Sequence, residues 1–213
     1  MIKNLNGIKE TVDFEEFPGV LLYDNTEYEA YPKHWHSPIE IIMPIQGGYN
    51  ADIGNDMHYD LKDGDILLIN PGTVHSLSPA SKEGERIIFQ LDFSVLRQIK
   101  ELESTLAILS PACLISEEKF PAMHNMAVAI MYDILNEYKY GGPLSEASIY
   151  AKMIELFVFI GREYTQNKDL FVVSEDKQKE YTEKFMYICD YVNLHCTENI
   201  SLEMAADLAG FSK

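Results

Sequence analysis

Three histidines and a glutamate have the spacing of a site that could bind a metal ion. His34, His36 and Glu40 share one apolar segment, and His75 follows the Pro71-Gly72 turn. Residues i and i+2 of a strand share a face, so strand parity predicts that His34, His36 and Glu40 point the same way. Three imidazoles and one carboxylate suit a divalent ion such as Zn, Ni, Fe, Mn or Co.

These four side chains also admit interpretations without a metal. They could hydrogen-bond one another, or they could bind a polar effector directly, because buried imidazoles need hydrogen-bond partners. We therefore define His34, His36, Glu40 and His75 as a candidate effector pocket and a candidate metal site. We assign no catalytic residue, because the sequence offers no further acid/base constellation beside them.

The elements that must position these residues are short strands. Up to about residue 91, apolar or alternating runs are separated by turns such as Gly47-Gly48 and 62–64. The predicted strands cover 20–23, 39–45, 49–53, 65–70 and 86–91. Many short strands between regular glycine turns predict a sandwich or a barrel.

After residue 91 the pattern changes to helical periods, and the rest of the chain is predicted to be all-helical. The predicted helices cover 94–102, 120–138, 145–166 and 181–195. The helix at 145–166 is apolar on two faces, so it must be buried on two sides. We predict that its second face, with Tyr150, Ile154, Phe157 and Val158, forms a homodimer. Burial of both faces within one subunit remains the alternative.

The last segment, 200–213, has the pattern of a helix-turn-helix that the chain does not complete. Ser201 is a good N-cap for its first helix, and Gly210 is a good helix stop. Ser212 would then cap the recognition helix, which enters the major groove of DNA. We therefore predict that Ser212 and Lys213 begin a DNA-binding surface that continues in the full-length protein.

The composition limits what these 213 residues can bind. The net charge is −17, and the only arginines are Arg86, Arg97 and Arg162, so this chain by itself is not expected to bind DNA. No apolar stretch approaches the ~20 residues of a membrane span, and we expect no membrane partner. The three cysteines, an odd number without CxxC spacing, indicate a reduced, cytoplasmic protein.

The two histidine segments resemble the motifs of the cupin family. The first has His34-x-His36, then Glu40, then Gly47 seven residues after the glutamate. The second begins at Gly64 and ends in Pro71-Gly72-x-x-His75. Its spacing is one residue longer than in the family, and Pro79 stands where an asparagine is usual. The resemblance implies a small β-barrel whose pocket receives the three histidines and Glu40.

Together with the terminal motif, the chain resembles AraC-type transcription regulators. That resemblance implies an α+β protein with a cupin-like β-barrel, a double-stranded β-helix, followed by helices. We expect a barrel at 1–92, helices for dimerisation at 93–168, a linker at 169–180 and the start of a helix-turn-helix at 181–213. The expected function is regulation of sequence-specific DNA binding by a small-molecule effector such as a sugar. The alternative is a metal-dependent cupin enzyme, an oxygenase or an isomerase.

Overall fold

In a computed structural model, the chain divides into two compact units, Met1–Val173 and Ser174–Lys213. The structure describes residues 4–14, 17–97, 99–109, 111–167, 184, 187–188, 191–192 and 194–210.

The first unit is built on eleven short strands among the described residues. They are β1 (Leu5–Asn6), β2 (Lys9–Glu10), β3 (Val20–Asn25), β4 (Tyr31–His34), β5 (Ile39–Gln46), β6 (Tyr49–Ile53), β7 (Met57–Leu61), β8 (Ile66–Ile69), β9 (His75–Pro79), β10 (Glu85–Leu91) and β11 (Ala112–Ile115). Strands β11-β8-β5-β10-β3 form a five-stranded sheet, and β4-β9-β6-β7 form a four-stranded sheet. Both sheets are antiparallel throughout.

The barrel core lies between the inner faces of these two sheets. Ile42, Leu67 and Ile69 from the larger sheet pack with Tyr49 and Leu77 from the smaller one, and all five are buried. The smaller sheet alternates buried and exposed residues, because only one of its faces meets the core. Strands β5 and β8 are buried at nearly every position, because apolar elements cover the larger sheet on both faces.

Glycines allow the tight turns that the sequence predicts. Gly47 and Gly48 join β5 to β6 with φ of +85° and +64°, a conformation that a residue with a Cβ adopts only under strain. The two-residue β1–β2 hairpin is attached to the segment between β4 and β5. The amide of Glu10 donates to the Trp35 carbonyl, and the amide of Trp35 donates to the Ile8 carbonyl, both at 2.9 Å.

Four helices follow β10 in the described part of this unit, with β11 between the second and the third. They are α1 (Ser94–Arg97), α2 (Lys100–Leu109), α3 (Pro121–Tyr140) and α4 (Ser145–Gln166). Helices α3 and α4 pack against each other through buried residues such as Ile130 and Met153. The ring of Phe157 meets the ring of Phe93 edge-on, with centroids 5.1 Å apart. No helix among the described residues is long and apolar enough to cross a membrane.

The second unit contains helix α5 (Leu202–Ala209), and its ends are as predicted. The Ser201 hydroxyl accepts a hydrogen bond from the Met204 amide, and Gly210 ends the helix in the left-handed conformation. Positions 184, 187–188, 191–192 and 194 are also helical. The predicted linker at 169–180 and the predicted DNA-binding residues Ser212 and Lys213 lie outside the described residues.

The predicted fold class, α+β with an N-terminal cupin-like barrel followed by helices, is confirmed. The prediction of an all-helical chain after residue 91 is wrong at β11. This strand pairs with β8, residue Ala112 opposite Ile69, and so extends the larger sheet. The strand is hard to recognise in the sequence, because its four residues are too few to show an alternating pattern. It also lies between two segments with helical periodicity, those of α2 and α3.

Candidate effector and metal site

The site lies where three strand ends meet inside the barrel. His34 ends β4 and stands opposite His75, the first residue of β9. Glu40 is the second residue of β5, in register with Gln90 on β10 and Ile69 on β8. The two sheets therefore contribute their polar residues to the same end of the barrel.

The predicted convergence of His34, His36 and Glu40 is observed, but strand parity is not its cause. His34 and Glu40 belong to different sheets, because the chain leaves β4 after His34 and enters β5 at Ile39. His36 lies in the short connection between them. The connection, which includes the buried Pro38, turns the chain from one sheet to the other and brings His36 beside Glu40.

All four predicted side chains come together and are buried. Each of His34, His36, Glu40 and His75 offers a ligand atom, and these atoms lie within 4.8 Å of one another. Each residue exposes at most 2% of its surface. The ring centroids of His34 and His75 are 4.2 Å apart, and those of His36 and His75 are 5.1 Å apart.

A backbone carbonyl orients each of the three imidazoles. The Nδ1 atoms of His34, His36 and His75 lie 2.8, 3.0 and 2.8 Å from the carbonyl oxygens of Pro32, Pro38 and Thr73. A carbonyl only accepts, so each Nδ1 carries the proton and donates it. In the neutral imidazole Nε2 then keeps its lone pair, the form in which histidine binds a metal ion.

The Glu40 carboxylate is held as an anion. Its Oε2 accepts from His36 Nε2 at 2.9 Å and from the Gln90 side-chain amide at 2.8 Å. Burial alone would raise the pKa of Glu40, but the hydrogen bond from His36 and the three nearby imidazoles lower it to about 2. For His36, burial works toward a lower pKa, and the bond to Glu40 outweighs it, so the pKa of His36 is raised.

His75 is held in its uncharged form by burial. Burial lowers its pKa to about 4, despite the attraction of Glu40. Its Nε2 faces Glu40 Oε1 at 3.7 Å, too far for a hydrogen bond. Both atoms are buried without a hydrogen-bond partner among the residues that the structure describes. Such pairs of unsatisfied atoms need an explanation, and a shared ion or a polar ligand supplies one.

Two further polar residues, Glu10 and Gln90, line the site, and the sequence motifs do not identify them. Glu10 on the β1–β2 hairpin places Oε2 3.7 Å from His34 Nε2, and Gln90 contacts Glu40. Both border a cavity of about 20 Å³, with His34 and Glu40 also in its wall. Gln90 could have been found as the one polar residue in the apolar run 87–91. Glu10 has no signal, because its hairpin is short and distant in sequence.

The other described histidines lie outside this site. His58 is exposed between Asp52 and Asp60, with ring nitrogens 2.7 and 3.0 Å from their carboxylates. His124 on α3 lies 2.8 Å from the Gly64 carbonyl, where it links the helix to a turn of the barrel. Both positions agree with the prediction that these histidines are structural or exposed. The two carboxylates beside His58 contact opposite nitrogens of its ring and so do not converge on one ligand atom.

The predicted dimerisation face needs one correction. Phe157 is fully buried against Phe93 of its own chain, so it cannot contact a second subunit. Tyr150, Ile154 and Val158 are half-buried and repeat every four residues along α4. The correction follows from Phe93 at the end of the barrel, whose ring fills the space beside Phe157 that the sequence pattern left open.

Comparison with known proteins identifies the barrel. Residues 17–108 match the family model of the AraC-like ligand binding domain. No curated protein sequence matches the chain. The chain is similar in fold to ToxT from Vibrio cholerae O395, with 16% identity, a TM-score of 0.54 and coverage of 91% of this chain and 70% of that chain.

Two ligand-bound ToxT structures from Vibrio cholerae are similar as well. ToxT of strain O395 bound to (E)-4-(8-methylnaphthalen-1-yl)but-3-enoic acid is 14% identical, with a TM-score of 0.54 and coverage of 92% of this chain and 73% of that chain. ToxT of strain SCE256 bound to an unsaturated fatty acid is 14% identical, with a TM-score of 0.50 and coverage of 94% and 77%. Residues 17–108, fewer than half of the chain, therefore match the AraC-like ligand binding domain, and the chain shares the fold of ToxT.

Proposed function

We propose that this protein is a transcription regulator whose barrel senses a divalent transition-metal ion. His34, His36, Glu40 and His75 bind the ion, and its binding controls sequence-specific DNA binding by a C-terminal helix-turn-helix region that begins at α5. In this proposal the regulator is cytoplasmic and acts as a homodimer. The observation that carries the proposal is the convergence of four buried ligand atoms within 4.8 Å.

The chemistry of the donors supports a transition metal over other cations. Zn, Ni, Fe, Mn and Co accept imidazole nitrogen together with carboxylate oxygen, whereas Mg and Ca favour oxygen alone. Two atoms that are each about 2.1 Å from one ion lie at most about 4.2 Å apart. The His36–Glu40 and His75–Glu40 pairs, at 2.9 and 3.7 Å, fall within this limit. The full set of four atoms spans up to 4.8 Å, so binding of an ion would draw the ligands together by a few tenths of an ångström.

The size of the cavity favours an ion over an organic effector. A single water needs about 10–15 Å³ of cavity volume, so the 20 Å³ beside His34 and Glu40 has room for little more than one water or one ion. A sugar or a fatty acid such as the one bound to ToxT would require the barrel to open. The same argument favours a regulator over a cupin enzyme, because an organic substrate also needs room beside the metal.

Control of DNA binding requires that the ion distinguishes two arrangements of the protein. An effector shifts an equilibrium only by the difference between its affinities for the two states. A coupling free energy of about 1–3 kcal/mol, which is typical of allosteric proteins, would change DNA affinity roughly 5–150-fold. The barrel thus needs to change its contacts only modestly when the ion binds.

Transcript abundance in cells tests this proposal. Cells with the wild-type gene and cells with His75→Ala in the chromosomal copy are grown with zinc added or chelated, and their transcripts are compared. We expect a set of genes that responds to zinc in the wild type and loses that response in the variant. His58→Ala is the matched control, because His58 lies outside the site. Identical zinc responses in wild type and His75→Ala would contradict the proposal.

A further inference from the structure

A second buried carboxylate, on the N-terminal hairpin, faces the metal site. Glu10 exposes 9% of its surface, and its Oε2 has no hydrogen-bond partner among the described residues. That oxygen lies 3.7 Å from His34 Nε2, within the about 4.2 Å that two ligands of one ion can span. Glu10, His34 and Glu40 all border the same small cavity.

We infer that Glu10 is a fifth protein ligand of the same cation and closes the site with the β1–β2 hairpin. The inference rests on the proposed function, because it assigns a further ligand to the proposed ion. Five protein donors leave little of the coordination sphere for a substrate. A metal sensor can have such a closed site, whereas a metal-dependent enzyme keeps a coordination position open.

Charge balance supports this assignment. Three imidazoles bind a metal ion as neutral ligands, so the charge of the site comes from its carboxylates. Glu10 and Glu40 together carry −2, which a divalent cation neutralises. Without a cation the barrel would bury two carboxylates beside one protonated imidazole, that of His36, which pairs with Glu40. One buried negative charge would then remain unpaired, which is strongly unfavourable.

The attachment of the hairpin links it directly to the metal ligands. Trp35 lies between His34 and His36 in sequence, and it exchanges two backbone hydrogen bonds with Ile8 and Glu10. The ammonium of Lys9 lies 5.5 Å from the centre of the Trp35 ring. An ion bound by Glu10, His34 and His36 would therefore hold the hairpin against the barrel, because His34 and His36 are the two sequence neighbours of Trp35.

Calorimetric titration of the full chain with Zn²⁺ tests the fifth ligand. Wild type, Glu10→Gln and His75→Ala are compared, with Glu29→Gln as the control, because it removes the same charge at an exposed position. We expect Glu10→Gln to lower zinc affinity tenfold or more, and Glu29→Gln to leave it unchanged. Cobalt(II) absorption should also change in Glu10→Gln, because its d–d bands report the number and geometry of the ligands.

Hydrogen exchange gives a local readout that does not depend on affinity. Saturating Zn²⁺ should slow exchange of the Glu10 and Trp35 amides in the wild type, because bound metal holds the hairpin in place. In Glu10→Gln saturated with Zn²⁺, the same amides should exchange as they do without metal. Circular dichroism confirms that the variant keeps the fold.

The outcomes separate this inference from the proposed function. If wild type binds Zn²⁺, His75→Ala does not, and Glu10→Gln equals wild type in affinity, cobalt spectrum and exchange, Glu10 is not a ligand and the proposed metal site stands. If wild type binds neither Zn²⁺ nor Co²⁺, both the proposed function and the fifth ligand are overturned.

Discussion

At the scale of residues, the site combines rigid orientation with unsatisfied ligand atoms. Each imidazole donates Nδ1–H to a carbonyl of a neighbouring residue, which fixes the ring and directs Nε2 inward. His36 already shares a proton with Glu40, whereas His75 Nε2 and Glu40 Oε1 have no partner among the described residues. A metal ion would replace the His36–Glu40 proton and satisfy both remaining atoms.

Removal of one imidazole should weaken metal binding sharply. In His34→Ala or His75→Ala we expect the affinity for Zn²⁺ to fall at least 100-fold, about 2.7 kcal/mol, because each variant loses a ligand that touches the ion. Isothermal titration calorimetry at pH 7 measures the effect, with His58→Ala as the exposed control. Equal affinities in all four proteins would rule out these histidines as ligands.

The stability of the metal-free protein should depend on pH through His75. Its folded pKa is about 4 against an ordinary value of 6.5, so only the unfolded state binds this proton between those values. The associated stability is complete above pH 6.5 and is lost as the pH falls toward 4, on the order of 3 kcal/mol in total.

Denaturant unfolding with a chelator present, from pH 7 to pH 4, measures this loss in wild type and His75→Asn. The variant should show a shallower decline, since it has no imidazole to protonate. Contributions from His36 and Glu40 occur in both proteins and largely cancel in the comparison. Parallel pH profiles would show that His75 is not held neutral by burial.

At the scale of elements, the site depends on strands that the sequence predicts unevenly. The buried strands β5, β8 and β10 are clear apolar runs, and the motifs within and beside them identify the histidines and Glu40. Strands β4 and β9 are missed, because their sequences, YPKH and HSLSP, are mostly polar and do not form an apolar run. Glu10 is missed as well, because only the folded hairpin brings it to the pocket.

The start of α4 offers an element-scale test of stability. Leu144, its N-cap, has φ of +72° and is 80% exposed, so its side chain gains little from packing while its backbone is strained. Leu144→Gly should stabilise the protein by about 0.5–1 kcal/mol, because glycine adopts this conformation without a clash. Thermal unfolding measures the shift, and Leu144→Ala, which keeps the Cβ, should show no comparable gain.

At the scale of the whole molecule, the chain combines a barrel with a helical region that follows it, the order proposed above for a regulator. The family match covers 17–108, and the similarity in fold to ToxT extends over about nine-tenths of the chain. Helix α4 still presents Tyr150, Ile154 and Val158 as a half-buried stripe after Phe157 is assigned to the interior.

Self-association through this stripe is the corresponding prediction. Ile154→Glu should shift the protein from dimer toward monomer in sedimentation velocity, because a charge in the centre of an apolar interface is strongly unfavourable. Glu155→Lys, at the neighbouring exposed position, should leave the dimer intact. A wild-type protein that sediments as a monomer at high concentration would refute the predicted interface.

Crystals grown with Zn²⁺ and measured on both sides of the zinc absorption edge test the central claim most directly. We predict one strong anomalous peak inside the barrel, about 2.0–2.2 Å from the Nε2 atoms of His34, His36 and His75 and from a carboxylate oxygen of Glu40. A Zn-loaded crystal with density only at surface residues such as His58 and Asp52, and no peak inside the barrel, would contradict it.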